Sequence, residues 1–239
     1  MDSGPKTPQI PAEFVKLVSA GTAALNAGDM ALALTKFESV ISSFPNQPEG
    51  HNNLGALYSS IGDFARAEAC FSRVVAILPD NTNVLFNRGV VRSSQEDFTG
   101  AHEDFEAVLV LSPNDADTLN NLGVTDFMQG RLAEASEYFT RALQEKPNYA
   151  NALLNQVDVA CANGNTAEAI TICEDFLSSH ASLDVRYKLL DLLSKNSRDA
   201  LRKARDTAVS ILIEDNQNES VRREIDRLEL ANSALHATA

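Results

Sequence analysis

The chain is short of the features that would place it in a membrane or a disulfide framework. No apolar run approaches the roughly 20 residues that span a bilayer. The opening "MDSGPKTPQIPAEF" has three prolines and no apolar core, so neither a secretory leader nor an anchor is expected there. Cysteine is scarce. Cys70, Cys161 and Cys173 form an odd set without a close pair, which fits apolar packing in a reducing cytoplasm. Only 8 prolines and 11 glycines occur in 239 residues, and Ala, Leu, Glu, Asp and Asn prevail where a sheet protein would use β-branched residues. An all-α chain is expected.

Chemistry is scarce too. There is no phosphate-cradling glycine-rich loop, Walker sequence or nucleophile elbow. His51, His102, His180 and His236 have no His or Cys one helical turn away, so no metal site is expected. The reading is of a non-enzyme with no catalytic residue and no cofactor. Basic charge is also lacking where it would matter. Residues 1–183 hold 23 acids and 10 bases, while residues 184–239 hold 10 of each, giving −13 overall. Such a field repels phosphate backbones and anionic lipid, so neither nucleic acid nor membrane is an expected partner.

What is present is a repeat. Aligned on itself at 34 residues, the chain stacks Gly21, Gly55, Gly89 and Gly123; Ala33, Ala67, Ala101, Ala135 and Ala169; Phe37, Phe71, Phe105 and Phe139; and Pro45, Pro79, Pro113 and Pro147. Small columns let paired helices approach, the Phe column is expected to fill space between repeats, and each proline stops a helix. Turns are marked by Gly28, Gly62, Gly130 and Gly164, with Asp29, Asp63 and Asn165 as N-cap candidates. Glu96 and Arg131 depart from the turn and cap patterns. In the fifth unit Val157 replaces the glycine, Cys173 the phenylalanine and Ala181 the proline.

These residues resemble the tetratricopeptide repeat family, a 34-residue helix-turn-helix unit. The resemblance implies a right-handed superhelical solenoid of antiparallel helix pairs that serves as a protein-interaction scaffold or adaptor. The expected layout is a disordered arm over 1–12 and five repeats over 13–183 (about 14–47, 48–81, 82–115, 116–149 and 150–183). A degenerate sixth pair follows over 184–217, marked by Leu201, Ala204, Ala208 and Ile211. A capping helix and tail occupy 218–239, with Val221, Ile225, Leu228, Ala231 and Leu235 on one stripe.

A further column is not a packing column. Asn53, Asn87, Asn121 and Asn155 recur on the first helix of successive units. By the resemblance they line a concave groove. A carboxamide donates and accepts, so it matches the N–H and C=O of an extended peptide without reading its side chains. Helix periodicity adds Glu49, Asn83, Asp117, Asn151 and Asp158 to the same face, with three acids and no base. The groove is therefore expected to hold a neutral or basic segment. Replacing the four asparagines with alanine is expected to leave melting nearly unchanged. Asn52 and Asn120 share their column with Phe86 and Leu154, and an incidental, exposed place is expected for them.

The cationic clamp by which some members grip chaperone C-termini is not matched: its places hold Val18, Thr22, Asn53, Asn83 and Asn87. Arg88 and Arg92 occupy apolar columns, and pairing with nearby acids is expected. Two further readings are a structural assembly subunit that uses its convex or edge surfaces, and a partner acting in trans with a transferase-type enzyme.

Overall fold

The computed structural model describes residues 11–194, 198–214 and 218–237, and among these it contains thirteen α-helices and no strand. Of the expected arm, residues 1–10 lie outside the described residues. Residues 11 and 12 do not belong to such an arm: Pro11 is the N-cap of a helix that already includes Ala12. The chain divides into two compact units after Pro113. The first holds α1 (Ala12–Asn26), α2 (Met30–Ser43), α3 (Pro48–Ser60), α4 (Phe64–Ile77), α5 (Thr82–Ser94) and α6 (Phe98–Leu111). The second holds α7 (Ala116–Met128), α8 (Leu132–Glu145), α9 (Ala150–Ala162), α10 (Thr166–Ser179), α11 (Leu183–Ser194), α12 (Arg198–Glu214) and α13 (Glu219–Ala237).

The pairing of helices rests on one close approach. A Cβ added to Gly21, Gly55, Gly89 or Gly123 would stand 2.5 to 2.8 Å from the nearest ring carbon of Phe37, Phe71, Phe105 or Phe139 respectively. Each ring thus lies on the glycine of its own helix pair, which corrects the expectation that the Phe column fills space between repeats. All four rings are buried. The fifth pair inverts the sizes: Val157 and Cys173 are both fully buried within one cluster. The larger residue has moved to the first helix and the smaller to the second, so the volume between them is shared differently.

The helix ends follow from local chemistry. α2, α4, α6 and α8 each stop two residues before a proline. In the turn of the first pair, Asp29 N–H bonds to Ala24 O and Gly28 N–H to Leu25 O, and Gly28 takes φ 77°. This is the two-bond C-terminal turn that requires a left-handed residue. Asp29, Asp63 and Asn165 accept from the backbone N–H three residues on, as expected of N-caps. Glu96 adopts φ 62° and keeps the same two bonds, Asp97 N–H to Arg92 O and Glu96 N–H to Ser93 O. The turn is preserved against the preference of an L side chain.

Arg131 makes no cap bond. It reaches back to Asp126, which is 1 % exposed, through Nε at 3.2 Å from Oδ1 and through a second, Nη2 contact. The cap is given up to neutralise a buried carboxylate. A larger charged group replaces the apolar residues of the previous pair in the third. Arg88, Arg92 and Asp104 stand where Leu54, Tyr58 and Cys70 stand one repeat earlier. Asp104 is 3 % exposed and accepts from Arg88 at 2.9 and 2.5 Å and from Arg92 at 3.0 Å. Arg92 also donates to Glu68 at 2.8 Å, and that bond, with one from Gln95, holds the Glu68 carboxyl below its usual range. The pairing expected of both arginines is present.

At the C-terminal end Ala204, Ala208, Ile211, Val221 and Leu228 are buried, and Ile225 packs against the same cluster. The side chains of Leu201, Ala231 and Leu235 lie outside the described residues. Burial pushes the Cys70 thiol up to about 11 and the Cys173 thiol up to about 12, so both are protonated at neutral pH.

Two outcomes follow for stability. Glu96→Gly is expected to raise the urea-unfolding free energy by about 1 kcal/mol by removing the left-handed cost. Gly123→Val is expected to lower it by at least roughly 1–3 kcal/mol through overpacking on Phe139. Adding Phe139→Cys, the inverted pairing of the fifth unit, should make the double variant less damaged than the sum of the single ones.

Candidate functional site

The first helix of each pair presents the asparagine column, and in the two units that column is in different states. In the first unit, Glu49, Asn52, Asn53, Asn83 and Asn87 have no side-chain hydrogen bond or ion pair among the described residues. A cavity of about 300 Å³ brings four of them together. Its walls carry Glu49, Asn52 and Asn53 from α3 and Asn83 from the start of α5. Between them it is lined by Val18 of α1, Val74 at the end of α4, Leu78 just beyond it, and Val84 of α5. Asn81 also borders it, but its side chain is committed to capping α5 through Val84 N–H at 3.1 Å. Asn87 is half-buried and does not line the cavity.

Local sequence positions these groups. Pro48 at the first turn and Glu49 beside it open α3, where a fixed φ and a negative charge both suit a helix N-terminus. From there Asn52 and Asn53 follow one turn on, so the acid and the amides share the cavity wall. A pocket of this kind can accept an apolar side chain among the valines and Leu78. It can also exchange hydrogen bonds with a peptide backbone through three uncommitted carboxamides and place one uncompensated carboxylate beside a cation.

In the second unit the corresponding groups are occupied by the protein itself. Asn121 donates Nδ2 to Asp117 O, 2.8 Å away in its own helix. Asn155 donates Nδ2 to Asn120 Oδ1 at 2.9 Å, bridging α7 and α9. Asn120 is 8 % exposed, so the incidental, exposed place expected for it is corrected: it is a buried acceptor whose partner is the last member of the column. One repeat pair earlier, Asn52 and Asn87 stand in the equivalent places and form no such bond. The residue between, Phe86, packs its ring 5.7 Å from that of Phe105, and Leu154 packs against the core of the second unit.

The acids divide in the same way. Asp158 is paired with Lys188 Nζ at 2.5 Å, and this hydrogen bond raises the lysine's pKa. The expected face of three acids and no base is therefore corrected, because α11 supplies a cation. Asp117 is engaged by the hydroxyl of Tyr149, whose pKa is raised by burial and by that hydrogen bond. Asn151 is exposed. Of the nine residues expected to face a groove, the cavity gathers Glu49, Asn53 and Asn83. Asn52 and the apolar lining were missed, although the proximity of Asn52 to Glu49, three residues earlier on α3, was visible in the sequence.

Among the described residues, no helix is long and apolar enough to cross a membrane, and no group of three or more His, Cys, Asp or Glu could hold a metal ion. Models of the tetratricopeptide repeat match residues 18–82, 86–150 and 126–190. Among solved structures, the fold is similar to that of PilW, a widely conserved type IV pilus biogenesis factor, at 15% identity and TM-score 0.69, covering 92% of this chain and 99% of that one. It is also similar to PilF of Pseudomonas aeruginosa, at 18% identity and TM-score 0.67 over 92% of this chain and 97% of the other. A third is the MamA 41-end fragment from Desulfovibrio magneticus RS-1, at 18% identity and TM-score 0.68 over 71% and 96%. At these identities the likeness is one of fold. In sequence, no curated protein matches the chain.

The difference between the units has a measurable consequence. Asn155→Ala leaves the buried Asn120 carbonyl without its donor and is expected to cost about 1–2 kcal/mol in urea unfolding. Asn121→Ala, which removes a bond to an exposed part of its own helix, should stay within about 0.5 kcal/mol. Melting is thus not indifferent to the whole column.

Proposed function

The chain belongs to the tetratricopeptide repeat family, whose helix pairs generally serve as non-catalytic protein-interaction scaffolds, and on that premise we propose that it binds an extended, neutral-to-basic segment of a partner protein through the first-helix face of residues 11–113. The observation that carries this reading is the cavity of about 300 Å³ in which uncommitted Glu49, Asn52, Asn53 and Asn83 share walls with Val18, Val74, Leu78 and Val84. Backbone N–H and C=O groups of the segment meet the carboxamides. An apolar side chain enters between the valines and Leu78, and a neighbouring lysine or arginine meets Glu49. An acidic segment would bring like charge against Glu49 and against the net −13 of the chain.

The hydrogen bonding supports different roles for the asparagines. Asn53 and Asn83 are direct contacts in this reading, Asn87 extends the same face, and Asn121 and Asn155 first serve their own unit. The three unpaired cysteines are compatible with the reducing, cytoplasmic setting proposed for the chain.

The test is a titration with threonine-rich decapeptides carrying one leucine and either lysine, glutamate or neither. The lysine peptide should bind most tightly, and added salt should weaken it. The triple variant Asn52→Ala, Asn53→Ala, Asn83→Ala should lose at least about tenfold in affinity, equivalent to ~1.4 kcal/mol. Its helicity should be unchanged, because none of the three side-chain amides is bonded among the described residues. Equal binding by the variant would overturn the reading.

A further inference from the structure

A second and larger concavity lies on other helices of the same unit. About 690 Å³ of open groove runs between α2 and α4 above α3, with a floor of Ile41, Leu54, Tyr58 and Cys70 and a wall carrying Arg66 and Arg73. None of these residues borders the cavity of Glu49 and Asn53. The groove gathers two arginines in an acidic unit. Residues 11–113 contain twelve acids and six bases, and two of the six, Arg88 and Arg92, are consumed by Asp104 and Glu68. Of the other four cations, Arg66 and Arg73 stand here; Glu38 is the acid in the groove lining, and Asp63 at the start of α4 pairs with Arg66.

The next register shows how an equivalent groove is closed. Thirty-four residues on, Leu54, Tyr58, Cys70 and Arg66 correspond to Arg88, Arg92, Asp104 and Gly100. There the floor arginines cross the space: Arg88 reaches Ser72 at 3.3 Å and Asp104, and Arg92 reaches the Gly100 carbonyl at 3.2 Å. The repeat therefore fills one such groove with its own charges and leaves the preceding one apolar and unfilled.

The spacing of the two groove arginines selects the shape of the occupant. Arg66 and Arg73 are seven residues apart on α4, two helical turns or about 10 Å along one face. Arg66 lies over the Tyr58 ring, 4.3 Å from its centroid, and pairs with Asp63. Its side chain is 61 % exposed, so it has donors to spare for a second carboxylate. Arg73 is exposed and, among the described residues, donates only to Asn46, at 3.1 Å. A helix seated between two helices brings residues seven apart to the same flank when its apolar stripe faces the floor.

We infer that the groove between α2 and α4 is a docking site for an amphipathic helix of a partner protein, with a small-to-medium apolar stripe over Leu54, Tyr58 and Cys70 and carboxylates two turns apart on Arg66 and Arg73. The site is distinct from the extended-segment cavity, so the chain can hold two partners, or two parts of one, at once.

The experiment uses the full chain and a helical peptide of about eighteen residues. The peptide has alanine and leucine on one stripe and glutamates seven residues apart; its counterpart has lysine for glutamate. The glutamate peptide should bind at least about tenfold more tightly than the lysine peptide, and in a Cys161→Ser background it should slow alkylation of Cys70. Arg66→Glu with Arg73→Glu should reverse the preference. Ala69→Trp, which adds bulk to the groove from an exposed position, should abolish binding without loss of helicity. Absence of binding, equal affinity of the two peptides, or alkylation of Cys70 unaffected by bound peptide would overturn the assignment. So would self-association of the free chain that the double arginine variant removes, which would give the groove to a second copy.

Discussion

Every helix pair through the fourth depends on a phenylalanine ring laid on a glycine. The contact has no room for a methyl group, because a Cβ there would come within 2.8 Å of a ring carbon in all four pairs. It sets how closely the two helices of a pair approach, and thereby which residues of the first helix are left facing outward. The fifth pair shows that the constraint is one of volume rather than of residue type. Val157 and Cys173 exchange large and small, and both remain fully buried.

The departures from the repeat are compensated within reach of each departure. Arg131 forgoes capping α8 and neutralises Asp126. Arg88 and Arg92 surround Asp104, where an unpaired buried carboxylate would be costly. Glu96 bears a left-handed backbone because the two turn bonds around it hold the shape that Gly28, Gly62, Gly130 and Gly164 adopt without strain. The same substitutions distinguish otherwise equivalent grooves. Between α4 and α6 the arginines occupy the space, and between α2 and α4 they do not.

Much of this was legible in the residues. Gly, Ala, Phe and Pro recur at fixed spacing, and spacing along one chain is what a sequence displays directly. The pairing of Arg131 with Asp126 was also within reach, since an acid in the column of Tyr58 and Arg92 stands five residues before a cationic cap. What stayed hidden were contacts made across helices. Nothing in the local pattern announces that Asn155 reaches Asn120, thirty-five positions earlier, or that Lys188 comes onto Asp158 from α11. For that reason a column that looked uniform splits into an uncommitted half and a self-bonded half. The apolar part of the cavity was hidden for the same reason, because Val18, Val74 and Val84 come from three different helices.

That split is the central claim, and side-chain amide exchange measures it directly. In NMR spectra of the full chain, the Nδ2 protons of Asn155 should exchange slowly with water, while those of Asn52, Asn53 and Asn83 exchange at the rate of free carboxamides. Addition of a lysine-bearing extended peptide should slow exchange at Asn52, Asn53 and Asn83 and leave Asn155 as it was. Protection of the first three amides in the free chain, or a response to peptide at Asn155 instead, would contradict the account.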